Sequence, residues 1–286
     1  MHYQDSLRVG AAQLNPELGE VDANLERHLE PIREAREQQL DLLVFPELSL
    51  TGYSLGPGVM DAACPREDPR LAQLARAAGP MQTIIGFVEE ASPGEYYNAL
   101  AIVQHGAVVA VHRKLNLPTY GGLEEGKWFC PGKRLTHTEL VPGWSASHLI
   151  CADLWNPALV HTAMLARPSV LCAPINSATG IVSERFSNET NWPLNLRFYA
   201  MTYGTPVIMA NRHGAEGDAW FWGGSCILGP RGETLAEADD REMLITATLS
   251  RSAIARARFE LPTHRDADNP LIRELLGDAH RQHSQP

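Results

Sequence analysis

Short apolar segments alternate with amphipathic segments along nearly the whole chain, and short polar turns separate them. Such alternation predicts an α/β protein in which helices cover sheets. Of the 286 residues, 44% are hydrophobic, which is enough for a sizeable buried core. There is no linker, low-complexity run or internal repeat, so we predict a single domain over residues 1–286. The predicted strands are 7–14, 41–45, 83–88, 100–103, 107–112, 147–150, 170–173, 206–210, 225–228, 233–235 and 243–247, and the predicted helices are 23–38, 71–78, 158–166 and 192–203.

The first predicted helix, 23–38, has two residues that bear on its boundaries. Asp22 precedes it and is a candidate N-cap, because a carboxylate can accept a hydrogen bond from the first helical turn. Pro31 lies inside it. Because proline lacks a backbone N–H, we expect it to kink or divide the helix.

The C-terminal end of the chain is polar beyond Arg251. We therefore expect the packed core to span about 7–262. The remainder, about 263–286, is expected to be a tail that frays over 280–286.

Composition limits the class of protein. A formal net charge of -10 argues against a nucleic-acid partner, because phosphates require a basic surface. No stretch approaches the roughly 20 apolar residues of a membrane span, and the N-terminus lacks the pattern of a signal peptide. We expect a cytoplasmic protein. The cysteines are odd in number, widely spaced and without a CxxC pair, so neither a disulfide framework nor a structural zinc site is expected; they are Cys64, Cys130, Cys151, Cys172 and Cys226.

Three polar residues come directly after predicted strands: Glu47, Lys114 and Cys151. In α/β sheets, functional side chains cluster at the carboxyl ends of strands, where the loops open a crevice. The three groups are chemically complementary. A thiol is a good nucleophile only as thiolate, a carboxylate can take its proton, and an ammonium can stabilise a developing oxyanion.

Each of these residues also has an ordinary structural interpretation. A free cysteine on a strand is usually a small buried hydrophobe, and a glutamate or lysine at a strand end is usually solvated. Spacing alone therefore leaves the triad undecided. A Cys–His pair with His148 is disfavoured, because three residues along a strand place two side chains on opposite faces. No HxxxH or HExxH pair indicates a metal site.

Longer motifs resemble the nitrilase superfamily of carbon–nitrogen hydrolases. Residues 44–53 (VFPELSLTGY), 113–118 (RKLNLP) and 150–155 (ICADLW) are similar to its three signature blocks, in the family order Glu, Lys, Cys. The resemblance covers about residues 7–262. Further matches are Tyr97-Asn98, Trp128-Phe129, Pro131-Gly132, Ala210-Asn211-Arg212 and 221–225 (FWGGS).

The resemblance implies a four-layer α-β-β-α sandwich that pairs as a homodimer or larger homo-oligomer. It also implies roles at the site. Glu47 is the general base, Cys151 the nucleophile, and Lys114 with the backbone N–H of Ala152 holds the oxyanion. No metal and no organic cofactor are expected, and the partner at the site is a small-molecule amide.

A second glutamate is implied after the lysine, in residues 120–129 (YGGLEEGKWF). Glu125 takes this place, with its neighbour Glu124 as the alternative. An acid close to an ammonium keeps the ammonium charged and oriented. The resemblance further implies that the substrate contacts come from Tyr53, Tyr120, Trp155, Asn176 and Trp192, although Trp192 could equally be a packing aromatic at a helix start.

The substrate is the least determined part of the interpretation. Ala152-Asp153 stands where nitrilases proper have Trp-Glu, which favours an amidase over a nitrile hydrolase. We expect hydrolysis of a small amide or N-carbamoyl amine through a cysteine thioester. One alternative is a stand-alone glutaminase, because the motifs also resemble the glutaminase domain of glutamine-dependent NAD synthetases. The other is a non-catalytic binding member of the fold.

Overall fold

The computed structural model describes residues 4–283, with side chains to residue 281. Two six-stranded mixed sheets form its centre, in the orders β14-β1-β2-β3-β4-β5 and β13-β12-β9-β8-β7-β6, beside a two-stranded ribbon, β10-β11. In each large sheet three central strands are parallel and the flanking strands are antiparallel. The strands are β1 (Ser6–Gln13), β2 (Leu42–Val44), β3 (Gln82–Ser92), β4 (Glu95–Gln104), β5 (Ala107–Arg113), β6 (Thr136–Val141), β7 (Trp144–His148), β8 (Val170–Ile175), β9 (Val207–Asn211), β10 (His213–Glu216), β11 (Ala219–Trp222), β12 (Cys226–Leu228), β13 (Thr234–Glu237) and β14 (Met243–Ser250).

Helices cover the outer face of each sheet. Short 3₁₀ turns occur at Gly56–Gly58 and Cys151–Trp155. Among the described residues, no helix is long and apolar enough to cross a membrane. The helices are α1 (Val21–Glu37), α2 (Val59–Ala62), α3 (Pro69–Ala78), α4 (Glu125–Trp128), α5 (Pro157–Met164), α6 (Asn188–Tyr203), α7 (Arg251–Glu260), α8 (Thr263–Asp266) and α9 (Asn269–His283).

Three layers of buried side chains show how these elements stack. One lies between α1 and α3 and the first sheet, and includes Ile32, Leu74 and Phe87. The second lies between the two sheets. The third lies between the second sheet and helices α5 and α6. The predicted four-layer α-β-β-α sandwich is therefore confirmed.

The first helix differs from the prediction in two ways. It is not divided at Pro31 but continues from Val21 to Glu37. Buried residues on both sides of the proline, among them Leu25 and Ile32, hold both halves against the sheet and outweigh the lost hydrogen bond. Asp22 is not the N-cap, because it lies within the first turn, where a carboxylate still interacts favourably with the helix dipole.

The polar C-terminal region is also more regular than predicted. Residues 251–283 form α7, α8 and α9 rather than a simple tail. The start of α7 is fixed by Ser250, whose hydroxyl accepts a hydrogen bond from the Ala253 N–H. Fraying was predicted for 280–286, but α9 includes residues up to His283, and the last three positions lie outside the described residues.

The ends of several strands converge on one region. Glu47 follows β2, Lys114 follows β5, and Asn176 follows β8. The backbone around Glu47 packs directly on β3 at Gly86, where a Cβ atom would lie 2.2 Å from the Leu48 nitrogen. Only glycine permits this approach, so Gly86 helps to set the depth at which the Glu47 side chain enters the molecule.

Candidate active site

The ammonium of Lys114 lies between two carboxylates. Its Nζ is 2.6 Å from an oxygen of Glu47 and 2.6 Å from an oxygen of Glu125, and all three side chains are buried. The lysine backbone is fixed on both sides, since its N–H donates to the Asn98 carbonyl at 2.8 Å and its carbonyl accepts from the Gly132 N–H at 2.7 Å. Buried charges are tolerated only when they are paired in this way.

Neutral side chains complete the hydrogen bonding of the carboxylates. Asn98 Nδ2 donates to Glu47 Oε1 at 2.7 Å, and the Tyr53 hydroxyl donates to Glu125 Oε1 at 2.6 Å. Asn176 Nδ2 donates to the backbone carbonyl of Glu47 at 2.7 Å. The second carboxylate oxygen of Glu47, Oε2, is buried and makes no hydrogen bond with a described residue. That oxygen is therefore available to take a proton.

Cys151 begins the 3₁₀ turn Cys151–Trp155 and has a left-handed backbone, with φ of +43°. This conformation is unfavourable for any residue with a Cβ atom and is found preferentially at functional sites. Cys151 as a residue is partly exposed, while its thiol is surrounded by protein and hydrogen-bonds with the backbone N–H of Asn176. The turn thus places the sulfur inside the site, beside the cluster of Glu47, Lys114 and Glu125.

Asp153 joins the loop that carries the cysteine to the loop that follows the lysine. Its buried carboxylate accepts hydrogen bonds from the N–H groups of Leu115 (3.0 Å), Asn116 (2.7 Å) and Ile150 (3.0 Å). In return, Asn116 Nδ2 donates to the Ala152 carbonyl at 3.1 Å. The two loops are therefore held at a fixed separation.

Burial and charge set the protonation states. Burial raises the pKa of Glu47 to about 7; Lys114 opposes this shift, and the charge of Glu125 adds to it. Burial by itself would lower the pKa of Lys114, but the charges of Glu125 and Glu47 outweigh it and raise that pKa well above its usual value. Burial also raises the pKa of the Cys151 thiol well above its usual range, with Glu47 adding to the effect. At neutral pH the site holds a neutral thiol, a charged lysine and a glutamate close to its titration point.

A small cavity opens at the Cys151 sulfur. Its volume is about 30 Å³, and a single water needs roughly 10–15 Å³. Most of the side chains around it are aromatic, aliphatic or amide-bearing, and no charged side chain of a described residue lines it. All five predicted substrate-contact residues line this cavity together with the cysteine: Tyr53, Tyr120, Trp155, Asn176 and Trp192, beside Cys151 and Ala152.

Two loops form the wall of this cavity opposite the sulfur. Gly122 N–H donates to the Ile181 carbonyl at 2.8 Å. A Cβ atom on Gly121, whose φ is +60°, would lie 2.4 Å from that same carbonyl oxygen and 2.5 Å from the Val182 carbonyl oxygen. The two loops therefore contact each other mainly through backbone atoms, with the Ile181 side chain beside Gly122.

The structure decides between the alternatives that the sequence left open. Glu125, rather than Glu124, contacts Lys114; Glu124 is half exposed and pairs with Lys127. His148 is buried and hydrogen-bonds to Thr138, so it does not form a pair with the thiol. Among the described residues no group of three or more His, Cys, Asp and Glu side chains could hold a metal ion.

Sequence reasoning assigned no role to Asn98, Asp153, Arg212 or Glu216, although three of them lie in quoted motifs. Asn98 could have been noticed, because it is a polar residue in an otherwise apolar part of β4. The buried Glu216 carboxylate pairs with Arg212 and accepts from the N–H groups of Tyr53 (3.1 Å) and Ser54 (2.7 Å). No local signal indicates this contact, because Glu216 and Tyr53 are 163 residues apart in the chain.

Comparisons with known proteins find relatives among glutamine-dependent NAD(+) synthetases and amidases. A glutamine-dependent NAD(+) synthetase of Thermotoga maritima is 32% identical over 80% of this chain and 39% of the synthetase. An N-carbamoylputrescine amidase of Arabidopsis thaliana is 26% identical over 74% of each chain. A solved structure of a mutant of the amidase from Nesterenkonia sp. AN1 is 25% identical, covers 91% of this chain and 99% of that one, and superposes with a TM-score of 0.75.

The chain spans less than half the length of the glutamine-dependent NAD(+) synthetases that it matches. The carbon-nitrogen hydrolase family model matches residues 8–259, a range that includes the whole Glu47–Lys114–Glu125 cluster and Cys151. That match spans most of the chain. The chain belongs to the carbon-nitrogen hydrolase family, whose nitrilase-superfamily fold it shares.

Proposed function

We propose that the chain hydrolyses a small linear amide or N-carbamoyl amine through a thioester on Cys151. The observation that carries the proposal is the buried Glu47–Lys114–Glu125 cluster beside the Cys151 thiol at the end of a cavity. Such a cluster supplies a base, a cation and a nucleophile without bulk water. Two buried carboxylates on one ammonium are costly to desolvate, which favours a catalytic protein over a binding protein.

In the first half-reaction the Cys151 sulfur attacks the carbonyl carbon of the substrate as Glu47 Oε2 takes the thiol proton. The new S–C bond converts the carbonyl into a tetrahedral oxyanion, which Lys114 and the backbone N–H of Ala152 stabilise. As the oxyanion collapses, the C–N bond breaks and Glu47 returns the proton to the leaving nitrogen. Ammonia or an amine departs, and the acyl group remains on sulfur as a thioester.

In the second half-reaction a water molecule attacks the thioester carbonyl and gives a proton to Glu47. The C–S bond breaks, the acid leaves, and the thiolate takes the proton back. Because Glu47 both accepts and donates, a pKa near neutrality suits it to both half-reactions. Glu125 keeps Lys114 charged and in place throughout.

The size and the lining of the cavity favour a small, uncharged substrate. Glutamine carries an ammonium and a carboxylate a few bonds from its amide, and the cavity offers neither charge a partner among its lining residues. In a structure of the Nesterenkonia amidase mutant the active-site cysteine carries acrylamide as a Michael adduct, so a small neutral amide reaches the cysteine of that protein. A small-amide substrate is therefore the first candidate.

Glutamine hydrolysis is the second candidate, and identity to the synthetases favours it. In that case the chain would supply ammonia to a second protein or domain. Glutamine, like the longer N-carbamoyl amines, is larger than this cavity of about 30 Å³, so either would bind only after the loops around Gly121 and Ile181 had separated.

Ammonia release from a panel of substrates tests the proposal. The panel contains acetamide, acrylamide, N-carbamoyl amines, glutamine and the nitriles that match the amides. We expect turnover of amides or N-carbamoyl amines, little turnover of nitriles because Ala152-Asp153 replaces Trp-Glu, and none by Cys151→Ala. A nitrile turned over faster than its amide, or an active Cys151→Ala, contradicts the assignment; glutamine as the sole substrate selects the second candidate.

We also propose that the chain forms a homodimer or larger homo-oligomer and acts in the cytoplasm. The support for self-association is an exposed apolar row on α6, where Leu194, Phe198 and Met201 are 61%, 54% and 48% exposed. Residues three and four apart share one helix face. Light scattering after gel filtration tests it, and Phe198→Glu should lower the measured mass if this row is the contact.

A further inference from the structure

A second and larger cavity lies behind the catalytic lysine. Its volume is about 620 Å³, and four basic side chains line it: Arg66, Arg113, Lys133 and Arg134. Glu89 is the one carboxylate of a described residue in its wall. We call this cavity, with these five residues, the basic pocket.

The charge of the basic pocket is not balanced from within. Glu89 already holds Arg113 by two hydrogen bonds, at 2.6 and 2.9 Å. Lys133 and Arg134 are exposed and have no ion pair with a described residue, while Arg66 has only a 3.6 Å contact with the exposed Glu67. Three basic side chains thus remain without a buried partner.

This concentration of positive charge runs against the composition of the chain. The sequence has 34 acidic and 24 basic residues, so a pocket with four basic side chains and one acid is the reverse of what chance placement would give. Like charges in one concave region repel one another, and low-dielectric walls strengthen the field there. An anion in the pocket would remove that repulsion.

We propose that the basic pocket binds a small anion of two or more negative charges, with phosphate or carboxylate groups. Guanidinium groups bind such oxygens in a bidentate manner, and a lysine adds a mobile point charge. A concave site of this volume fits a small molecule better than the surface of a macromolecule. The Arg113 guanidinium is stacked 4.1 Å from the Tyr97 ring centre and already paired with Glu89, so the proposed contacts come mainly from the other three basic side chains.

The basic pocket shares no lining residue with the small cavity at Cys151, but it adjoins the backbone of Lys114. Arg113 precedes Lys114 in the chain, and the pocket residue Gly132 donates its N–H to the Lys114 carbonyl at 2.7 Å. No atom of the Cys151 loop lines the basic pocket. Binding of the anion is therefore expected to be independent of the thiol and of whether the proposed hydrolysis is correct.

Calorimetric titration of the full chain with pyrophosphate, and separately with citrate, tests the proposal, with ionic strength held constant by sodium chloride. We expect saturable binding of at least one of the two anions. Tighter binding of pyrophosphate indicates a phosphate ligand, and tighter binding of citrate indicates a carboxylate ligand. Lys133→Gln/Arg134→Gln should weaken binding by roughly tenfold for each charge-assisted hydrogen bond that the substitutions remove. Cys151→Ala should bind as the wild type does.

Arg76→Gln/Arg256→Gln is the matched control, because it also removes two positive charges and both residues are exposed arginines outside the pocket, on α3 and α7. It should bind as the wild type does. Absence of saturable binding by the wild type overturns the proposal. An equal loss in this control variant also overturns it, because the effect would then be that of net charge alone.

Discussion

The carboxylate of Glu216 accepts a hydrogen bond from the backbone N–H of Tyr53 at 3.1 Å, which ties the ribbon strand β10 to the loop beyond Glu47. The Tyr53 hydroxyl in turn donates to Glu125 at 2.6 Å. A buried ion pair about 160 residues away in sequence is thereby connected, through one tyrosine, to the ammonium that the proposed reaction requires.

Glu216 is expected to act on the rate only through Tyr53. Tyr53→Phe removes the hydrogen bond from the tyrosine hydroxyl to Glu125 and should slow acylation about tenfold. A hydrogen bond from a neutral donor to a charged acceptor is worth roughly 1.5 kcal/mol. Glu216→Gln should slow acylation by itself but add little in the Tyr53→Phe background. Single-turnover acylation of the two single variants and the double variant measures this coupling.

Thermal unfolding of the same variants distinguishes this effect from a general loss of structure. Glu216→Gln leaves the buried Arg212 without its charged partner and should lower the Tm in either background. The loss of rate, in contrast, should nearly disappear in the Tyr53→Phe background. If the fold-changes in rate of the two single variants multiply in the double variant, Glu216 acts independently of the Tyr53 hydroxyl.

Glu47 should govern the reactivity of Cys151 and of no other thiol. Cys64, Cys172 and Cys226 are buried, whereas Cys130 and Cys151 are partly exposed, so Cys130 is an internal control. With iodoacetamide followed by peptide mass mapping, we expect Cys151 to react far faster than Cys130. Because the Cys151 thiol is neutral at rest, Glu47→Gln should slow its alkylation and leave that of Cys130 unchanged. Equal rates at the two cysteines would favour a non-catalytic protein.

The pH dependence of kcat/KM should have an acidic limb with an apparent pKa near 7. Glu47 must be ionised to take the thiol proton, and burial raises its pKa to about 7, so activity is lost as the pH falls through that value. Because the pKa of Lys114 lies well above its usual value, no loss from the lysine is expected below pH 10. An acidic limb near pH 4.5, the ordinary value for glutamate, would mean that Glu47 is not the base.

Glu125→Gln should slow acylation by about a hundredfold, because one preorganised electrostatic interaction is typically worth on the order of 3 kcal/mol. Glu124→Gln is the matched control. Its side chain is half exposed and its ion pair with Lys127 is on the surface, so the change should cost less than about 0.5 kcal/mol. If both variants acylate like the wild type, Lys114 needs only Glu47 for its position.

The sequence predicted the candidate site best at the ends of strands, where polar residues follow apolar segments. Glu47, Lys114 and Cys151 were located from their places after apolar strands and from motif resemblance, and the structure brings them together. The resemblance assigned the second acid to Glu125, with the adjacent Glu124 as the alternative, and the structure places Glu125 against Lys114. Burial separates them, and burial depends on residues distant in sequence.

Other features of the fold and of the site depend on tertiary contacts, which the sequence alone does not show. The contact between Glu216 and Tyr53 joins distant segments, and β10 is too short to give a period. Pro31 weakens α1 locally, but packing on both sides preserves the helix. α7 has a weak apolar pattern, but α9 repeats apolar residues at helical spacing, Leu271 with Leu275 and Ile272 with Leu276, and the prediction of a tail from polarity overlooked that signal. That residues 1–286 form a single domain stays a prediction.

The left-handed backbone of Cys151 has a consequence for how such a protein can change over generations. At this φ glycine is the residue that the fold itself prefers, by roughly 1 kcal/mol over a residue with a Cβ atom. Selection for thermostability alone would therefore favour glycine at this position, and the more stable protein would lack the thiol that the proposed reaction requires. On the proposed mechanism, a cysteine persists at position 151 only as long as turnover is itself under selection.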